Sequence, residues 1–168
     1  MANLYIITGP AGIGKSTVSK KIAKSKNKSV LIEGDEIYHQ VISSYVSAWK
    51  EGNHLDVFWD VCISSIKTYL SYGYDVVFNY IITPDILERL KKEFKEYTTK
   101  FVVLLSDERT LLKRDKQRPE DCQMNERCLI LLDNFKNKDY NQDNILDTTT
   151  LSVEDIVDMI NSDNKFII

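Results

Sequence analysis

Apolar residues follow two alternating patterns along the chain. Short runs that are almost wholly apolar predict buried strands. They are Asn3–Thr8, Ser29–Asp35, Tyr74–Tyr80, Lys100–Ser106 and Asn144–Thr148. Between these runs apolar residues recur at helical spacing, most clearly from Leu55 to Leu70, after which Gly73 marks a helix end. Strands that are apolar on both faces must be covered on both, so the alternation predicts an α/β fold, a three-layer sandwich around a five-stranded parallel sheet.

Length, charge and cysteines narrow the class of protein. The 168 residues contain no low-complexity linker or repeat, so we expect one domain covering 1–168. A net charge of −3 argues against a nucleic-acid partner, and no apolar run approaches the roughly 18 residues of a membrane span. The first residues lack the features of a signal peptide, and an odd number of cysteines indicates reduced thiols. We therefore expect a cytoplasmic protein, either a monomer or a homodimer.

The run GPAGIGKS follows the first predicted strand and matches the phosphate-binding pattern G-x-x-x-x-G-K-[ST]. Its glycines let backbone N–H groups turn towards phosphate oxygens, and the next helix presents its positive end to them. Lys15 adds a charge at the β- and γ-phosphates, and Ser16 offers a hydroxyl to the Mg²⁺ that bridges them. The predicted nucleotide-binding residues, which we call the P-loop, are Gly9, Pro10, Ala11, Gly12, Ile13, Gly14, Lys15, Ser16 and Thr17.

This loop, the strand–helix alternation and a cluster of arginines after the fourth strand resemble the small P-loop kinases, the group of nucleoside monophosphate, shikimate and gluconate kinases. The resemblance covers nearly the whole chain. It implies the strand order 2-3-1-4-5, ATP and Mg²⁺ as cofactors, an acceptor-binding insert at about 34–73 and a helical lid at about 109–135. By the same resemblance adenine lies near the fifth strand, around residues 147–150. There is no guanine-specific motif, but GTP stays open as an alternative nucleotide.

Four of the five arginines lie between residues 109 and 127. Arg114 and Arg118 are four residues apart, which places them on one face of a helix, and Arg127 follows a break at Pro119. The resemblance implies that these three are catalytic residues that grip the triphosphate and stabilise the charge during transfer. The alternative is a solvated charged helix in which Arg114 or Arg118 pairs with a neighbouring aspartate, Asp115 or Asp121.

Asp35 follows the second predicted strand. In the resembling kinases an aspartate here faces the acceptor hydroxyl or the magnesium shell, so Asp35 is a candidate catalytic base and, with Ser16, a candidate metal ligand. Alternatively, Asp35 caps a helix that starts near Glu36; Glu33 and Glu36 suit the catalytic role less well. Asn79 ends the third strand, where a Walker B-type site would carry a carboxylate. Magnesium then depends on Asp35, or on Ser16 with ATP and water, and a free-standing ATPase motor is disfavoured.

The segment between the second and third strands binds the acceptor in the resembling kinases. It contains no arginine, and residues 33–60 carry one lysine, Lys50, against six acidic residues. Kinases for anionic acceptors hold them with arginines here, so we disfavour an anionic acceptor, gluconate included, and favour a neutral or cationic hydroxyl compound such as a sugar, nucleoside or antibiotic-like amine. Phe58 and Trp59 are expected in the core. Candidates for the pocket are Tyr38, Tyr45 and Trp49, with packing as the alternative. His39 and His54 are further candidates, with a surface or structural role as the alternative.

Three functions fit these features. The first is a kinase that passes the γ-phosphate of ATP to a hydroxyl of a small molecule, with Lys15, Asp35 and the lid arginines at the site. The second is a nucleotide-binding ATPase or switch without an acceptor, which would need a stronger metal-binding carboxylate. The third is a nucleic acid 5′-end kinase, which would need a basic channel. The sequence favours the first.

Overall fold

Five parallel strands form a sheet in the order β2-β3-β1-β4-β5. They appear in a computed structural model that describes residues 2–48, 50 and 52–168. The strands are β1 (Asn3–Thr8), β2 (Ser29–Glu33), β3 (Asp75–Asn79), β4 (Thr98–Leu105) and β5 (Ile145–Asp147). Each lies within or next to an apolar run of the sequence, and the order is the one that the family resemblance implied. The candidate Trp49 lies outside the described residues.

Helices connect the strands and cover both faces of the sheet. They are α1 (Lys15–Lys24), α2 (Gly34–Tyr38), α3 (His54–Ser71), α4 (Pro84–Glu93), α5 (Glu108–Asp115), α6 (Glu126–Lys136) and α7 (Val153–Ser162). Short 3-10 turns occur at Glu120–Cys122, Gln142–Asn144 and Asn164–Phe166. No helix in the described part of the chain is both long and apolar enough to cross a bilayer.

The central strand β1 supplies side chains to two apolar cores, one on each side of the sheet. Leu4 and Ile6 belong to the core that packs under α3 and α4, whereas Tyr5 and Ile7 belong to the core under α1 and α7. The alternation follows from the period of two along a strand. It confirms the prediction of a sheet covered on both faces.

The buried face of α3 confirms the expected core role of its aromatic residues. Phe58 and Trp59 are both only 5% exposed. They pack in the same core as Cys62, Ile66 and Leu70, which follow at helical spacing. These two rings therefore belong to the core between α3 and the sheet.

The polar strand ends gather at the carboxyl edge of the sheet, where parallel sheets bind ligands. The end of β1 leads into the P-loop, and Glu33 at the end of β2 is in register with Asn79 at the end of β3. One boundary differs from the prediction, because α2 begins at Gly34 and not near Glu36. Asp35 therefore lies in the first turn of α2, and the expected capping position falls to Glu33, whose side chain makes no cap hydrogen bond.

Candidate functional site

The P-loop wraps tightly between β1 and α1. Gly9 has a φ of 146°, and a Cβ atom at this position would lie 2.4 Å from the carbonyl oxygen of Leu104 on β4. Gly14 begins α1 with a φ of 106°, and a Cβ atom built there would meet nothing within 4 Å. The first turn of α1 carries no acidic side chain. The positive end of α1 therefore opens onto free space that suits an anion.

Lys15 folds back across its own loop. Its Nζ donates hydrogen bonds to the carbonyl oxygens of Gly9 (3.0 Å) and Pro10 (3.1 Å). Burial lowers the pKa of Lys15 to about 8, the nearby carboxylate of Asp35 opposes that shift, and the guanidinium of Arg118 adds to it. Lys15 thus lies in the field of both partners. The charges of Asp35 on α2 and of Arg118 after α5 therefore both influence the protonation of the P-loop lysine.

The residues present fit a magnesium ion that enters with its nucleotide. Ser16 and Thr17 expose their hydroxyls in the first turn of α1, and the exposed carboxylate of Asp35 lies on the side of Lys15. In the described part of the chain no group of three or more His, Cys, Asp or Glu residues is placed to hold a metal. Ser16 and Asp35 would therefore share the ion with phosphate oxygens and water.

Asn79 is hydrogen-bonded to a carboxylate from the neighbouring strand. It is 3% exposed, and its Nδ2 donates a hydrogen bond of 3.3 Å to Oε1 of Glu33. The carboxylate that the end of β3 lacks is thus present one strand away, at the end of β2. The parallel register places Glu33 opposite Asn79, a pairing that the sequence alone does not show.

Arg114 bridges the P-loop and the end of β5. Its guanidinium donates to Oγ1 (2.8 Å) and the carbonyl oxygen (2.7 Å) of Thr148 and, more weakly, to the carbonyl oxygen of Ile13 (3.4 Å). Burial lowers the pKa of Arg114, although an arginine keeps its charge at any ordinary pH. These contacts place Arg114 beside the residues where the family resemblance puts adenine.

Arg118 does not share a helix face with Arg114, contrary to the prediction. Helix α5 ends at Asp115, and Arg118 lies in the following turn, because the residue before a proline is disfavoured in helical conformation. Its Nη1 donates to Oδ1 of Asp115 at 3.2 Å, which is the ion pair that the alternative interpretation allowed. Arg127 lies exposed on α6. The lid arginines therefore have different surroundings.

The acceptor-side aromatics divide into packed and exposed residues. Tyr38 is buried, and its hydroxyl donates to the carbonyl oxygen of Val46 at 2.5 Å, so it packs and fixes the loop after α2. Tyr45 is 45% exposed and stacks on the exposed ring of His39, with centroids 6.0 Å apart. The Nε2 atom of His54 is buried and has no hydrogen-bond partner among the described residues. Tyr45 and His39 are therefore exposed, whereas Nε2 of His54 is enclosed.

Tyr80 is a site residue that the sequence analysis did not single out. Its ring lies 4.6 Å from that of Phe58 and 5.7 Å from that of Trp59, and we call these three rings the aromatic wall. A Cβ atom on Gly34 would lie only 2.5 Å from the Tyr80 ring, so the ring closes directly over the start of α2. Burial and the charge of Asp35 raise the pKa of Tyr80, which keeps its hydroxyl protonated. Its position directly after Asn79, at the end of β3, is the feature of the sequence that could have marked Tyr80 as a candidate.

Comparisons with known proteins agree with this geometry. The fold is similar to that of a tunicamycin resistance protein from Deinococcus radiodurans, with a TM-score of 0.70, 14% identity and coverage of 96% of this chain and 95% of that one. A gluconokinase from Sinorhizobium meliloti 1021 has a TM-score of 0.67 and 18% identity over 94% of this chain and 89% of its own. A sugar kinase from Janibacter sp. HTCC2649 has a TM-score of 0.68 and 12% identity over 94% and 91%.

Sequence comparisons identify the family of the chain but no close relative among curated proteins. Curated protein sequences give no significant match. The family model described as AAA domain matches residues 4–129, which is well over half of the chain. The chain therefore belongs to the AAA domain family, and its fold is that of the small P-loop kinases.

Proposed function

We propose that this protein is an ATP-dependent phosphotransferase that moves the γ-phosphate to a hydroxyl group of a small neutral or cationic molecule. The observation that carries the proposal is the phosphate-binding loop between β1 and α1, where the charges of Asp35 and Arg118 both act on Lys15. The fold shared with a gluconokinase and a sugar kinase supports it.

Each residue of this group has a distinct role in an in-line transfer. The acceptor oxygen forms a bond to the γ-phosphorus while the bond from that phosphorus to the bridging oxygen of ADP breaks, and the acceptor proton passes to Asp35. Lys15 and Arg118, with Arg127 from the lid, stabilise the charge that spreads over the phosphoryl oxygens. Magnesium, when bound, neutralises charge on the β- and γ-phosphates. Ser16 and Asp35 are the residues that would hold it.

The acceptor binds between Asp35 and the aromatic wall in this proposal. The hydroxyl of Tyr80 makes no hydrogen bond to any described residue, and it is protonated, so it is free to donate to an acceptor oxygen. The surrounding segment is acidic, with one lysine against six acidic residues over positions 33–60. Such a pocket repels a phosphate or carboxylate and attracts an ammonium group or a neutral polyol.

A phosphotransfer screen tests the proposal. The protein is incubated with Mg·ATP and with sugars, polyols, nucleosides, amino alcohols or aminoglycosides, while ADP release is followed. We expect release that depends on an acceptor, and a Lys15→Ala variant that abolishes it. The matched Asp35→Asn variant should bind Mg·ATP and fail to transfer. Multiple-turnover ADP release that is equal with and without every acceptor would contradict the proposal and would indicate an ATPase.

A further inference from the structure

A buried carboxylate at the end of α5 joins both ends of the lid. Asp115 is 1% exposed. Its Oδ2 accepts hydrogen bonds from the backbone amides of Met124 (2.9 Å) and Asn125 (2.8 Å), at the start of α6. Its Oδ1 accepts from Nη1 of Arg118 (3.2 Å) and more weakly from the amide of Met124 (3.2 Å). The side chain of Asp115 therefore connects the two ends of residues 116–125, which we call the lid loop.

The same carboxylate lies against the P-loop. A Cβ atom built on Gly12 would lie 3.2 Å from Oδ1 of Asp115 and 3.3 Å from its Cβ. Oδ1 is the oxygen that accepts from Arg118, so the anchor of this arginine touches the loop that holds phosphate. The charge of Arg118 also contributes to the lowered pKa of Lys15, which agrees with this position of its anchor. Arg118 is thus anchored at the phosphate end of the site.

The ion pair leaves most of the arginine fork available. Within residues 2–48, 50 and 52–168 the Arg118 guanidinium makes no other hydrogen bond, and its side chain is 36% exposed. A guanidinium has five N–H donors in one plane, so a single contact fixes its direction and leaves the others free for phosphate oxygens. The buried charge of Asp115 is further stabilised by hydrogen bonds from two backbone amides and by the positive end of α6.

We propose that Asp115 is a positioning residue that aims Arg118 at the terminal phosphate and so sets the preference of the site for a nucleoside triphosphate over a diphosphate. This inference rests on the proposed function only in requiring that the P-loop binds ATP. An arginine directed at the γ-phosphate strengthens the binding of ATP and leaves the binding of ADP nearly unchanged, since ADP lacks that group.

An Asp115→Asn variant separates positioning from lid construction. The asparagine can keep its oxygen towards the amides of Met124 and Asn125, while its NH₂ group then faces the guanidinium of Arg118, donor against donor. The hydrogen bonds that connect the ends of the lid loop are kept, and only the contact that orients Arg118 is lost. An Asp115→Ala variant removes both sets of contacts, and an Asp60→Asn variant breaks a similar aspartate–arginine pair on the surface between α3 and α4.

Calorimetry measures the ratio of the dissociation constants of Mg·ADP and of the Mg complex of a non-hydrolysable ATP analogue. We expect Asp115→Asn to lower this ratio roughly tenfold, the size of one charge-assisted hydrogen bond, and to change the affinity for Mg·ADP less than about twofold. Arg118→Gln should lower the ratio equally, and combining the two substitutions should lower it no further. Asp60→Asn should leave it unchanged.

A different pattern would overturn the inference. If Asp115→Asn weakened both nucleotides alike together with a lower melting temperature, Asp115 would be a structural residue only. Additive effects of Asp115→Asn and Arg118→Gln would show that the two residues act separately, and a wild-type protein that binds ADP as tightly as the ATP analogue would remove the proposed role. None of these measurements uses an acceptor, so they stand apart from the outcome of the phosphotransfer screen.

Discussion

Lys15 is expected to lose its proton near pH 8 in the free protein, so the affinity for Mg·ATP should fall as the pH rises through that value. Burial lowers the pKa of Lys15 from 10.5 to about 8. Phosphate oxygens next to Nζ favour the charged form and raise this pKa again in the complex. Above pH 8 the protein must therefore take up a proton in order to bind nucleotide, and each further pH unit makes that uptake more costly.

The expected size of the effect follows from the fraction of free protein in which Lys15 is protonated. With a pKa of about 8, that fraction is about ten-elevenths at pH 7 and about one-eleventh at pH 9, so the affinity should fall roughly tenfold between them, or about 1.4 kcal/mol. The slope in this interval should approach one proton per nucleotide. Below pH 7 the affinity should level off, because Lys15 is already charged.

Isothermal titration calorimetry at several pH values tests this expectation directly. Titrations in buffers of different ionisation enthalpy give the number of protons taken up, which should be close to one at pH 9. The matched control is Lys15→Arg, since a guanidinium keeps its proton throughout this range and should remove the dependence on pH. A wild-type affinity that stays constant from pH 7 to pH 9, or an equal fall in Lys15→Arg, would refute the reasoning about Lys15.

Three further outcomes follow from contacts elsewhere in the fold. Gly34→Ala places a Cβ atom 2.5 Å from the Tyr80 ring. Steady-state kinetics should therefore show a higher KM for the acceptor and an unchanged KM for ATP. An unchanged KM for the acceptor would argue against the aromatic wall as its binding surface. Of the three thiols only Cys122 is exposed, so Ellman's reagent should titrate one quickly in the native protein and three after denaturation. Lys100 donates to three carbonyl oxygens at the end of α7; Lys100→Met should cost about 2 kcal/mol in thermal unfolding, and an unchanged melting temperature would contradict that role.

The sequence was sufficient for the strands and for the buried helix faces. The strands are apolar runs whose side chains pack on both faces of the sheet. On α3 the buried apolar residues, among them Phe58 and Trp59, recur at helical spacing. Local hydrogen bonds set two of the helix starts: the Ser152 and Asp155 capping box begins α7, and Thr83 caps α4. The sheet order came from the family resemblance, because strand spacing alone does not determine it.

The contacts of the site were harder to predict because they join distant parts of the chain. Tyr38 seemed as suited to a pocket as to packing, and only the folded loop shows its hydroxyl on Val46. Arg118 was expected on the face of Arg114, but Pro119 ends the helix and directs it to Asp115. Tyr80 gained its role from Gly34, which is 46 residues away in the sequence. Such pairings carry no local pattern that a single sequence can reveal.

The destination of the γ-phosphate is the central question for this site. Phosphorus NMR follows it directly when the protein is mixed with Mg·ATP and separate pools of neutral, cationic and anionic hydroxyl compounds. We predict a new phosphomonoester signal with a neutral or cationic pool, equal in amount to the ADP formed and absent with Lys15→Ala. Inorganic phosphate as the sole product in every pool, or an ester formed only with phosphate- or carboxylate-bearing acceptors, would contradict it.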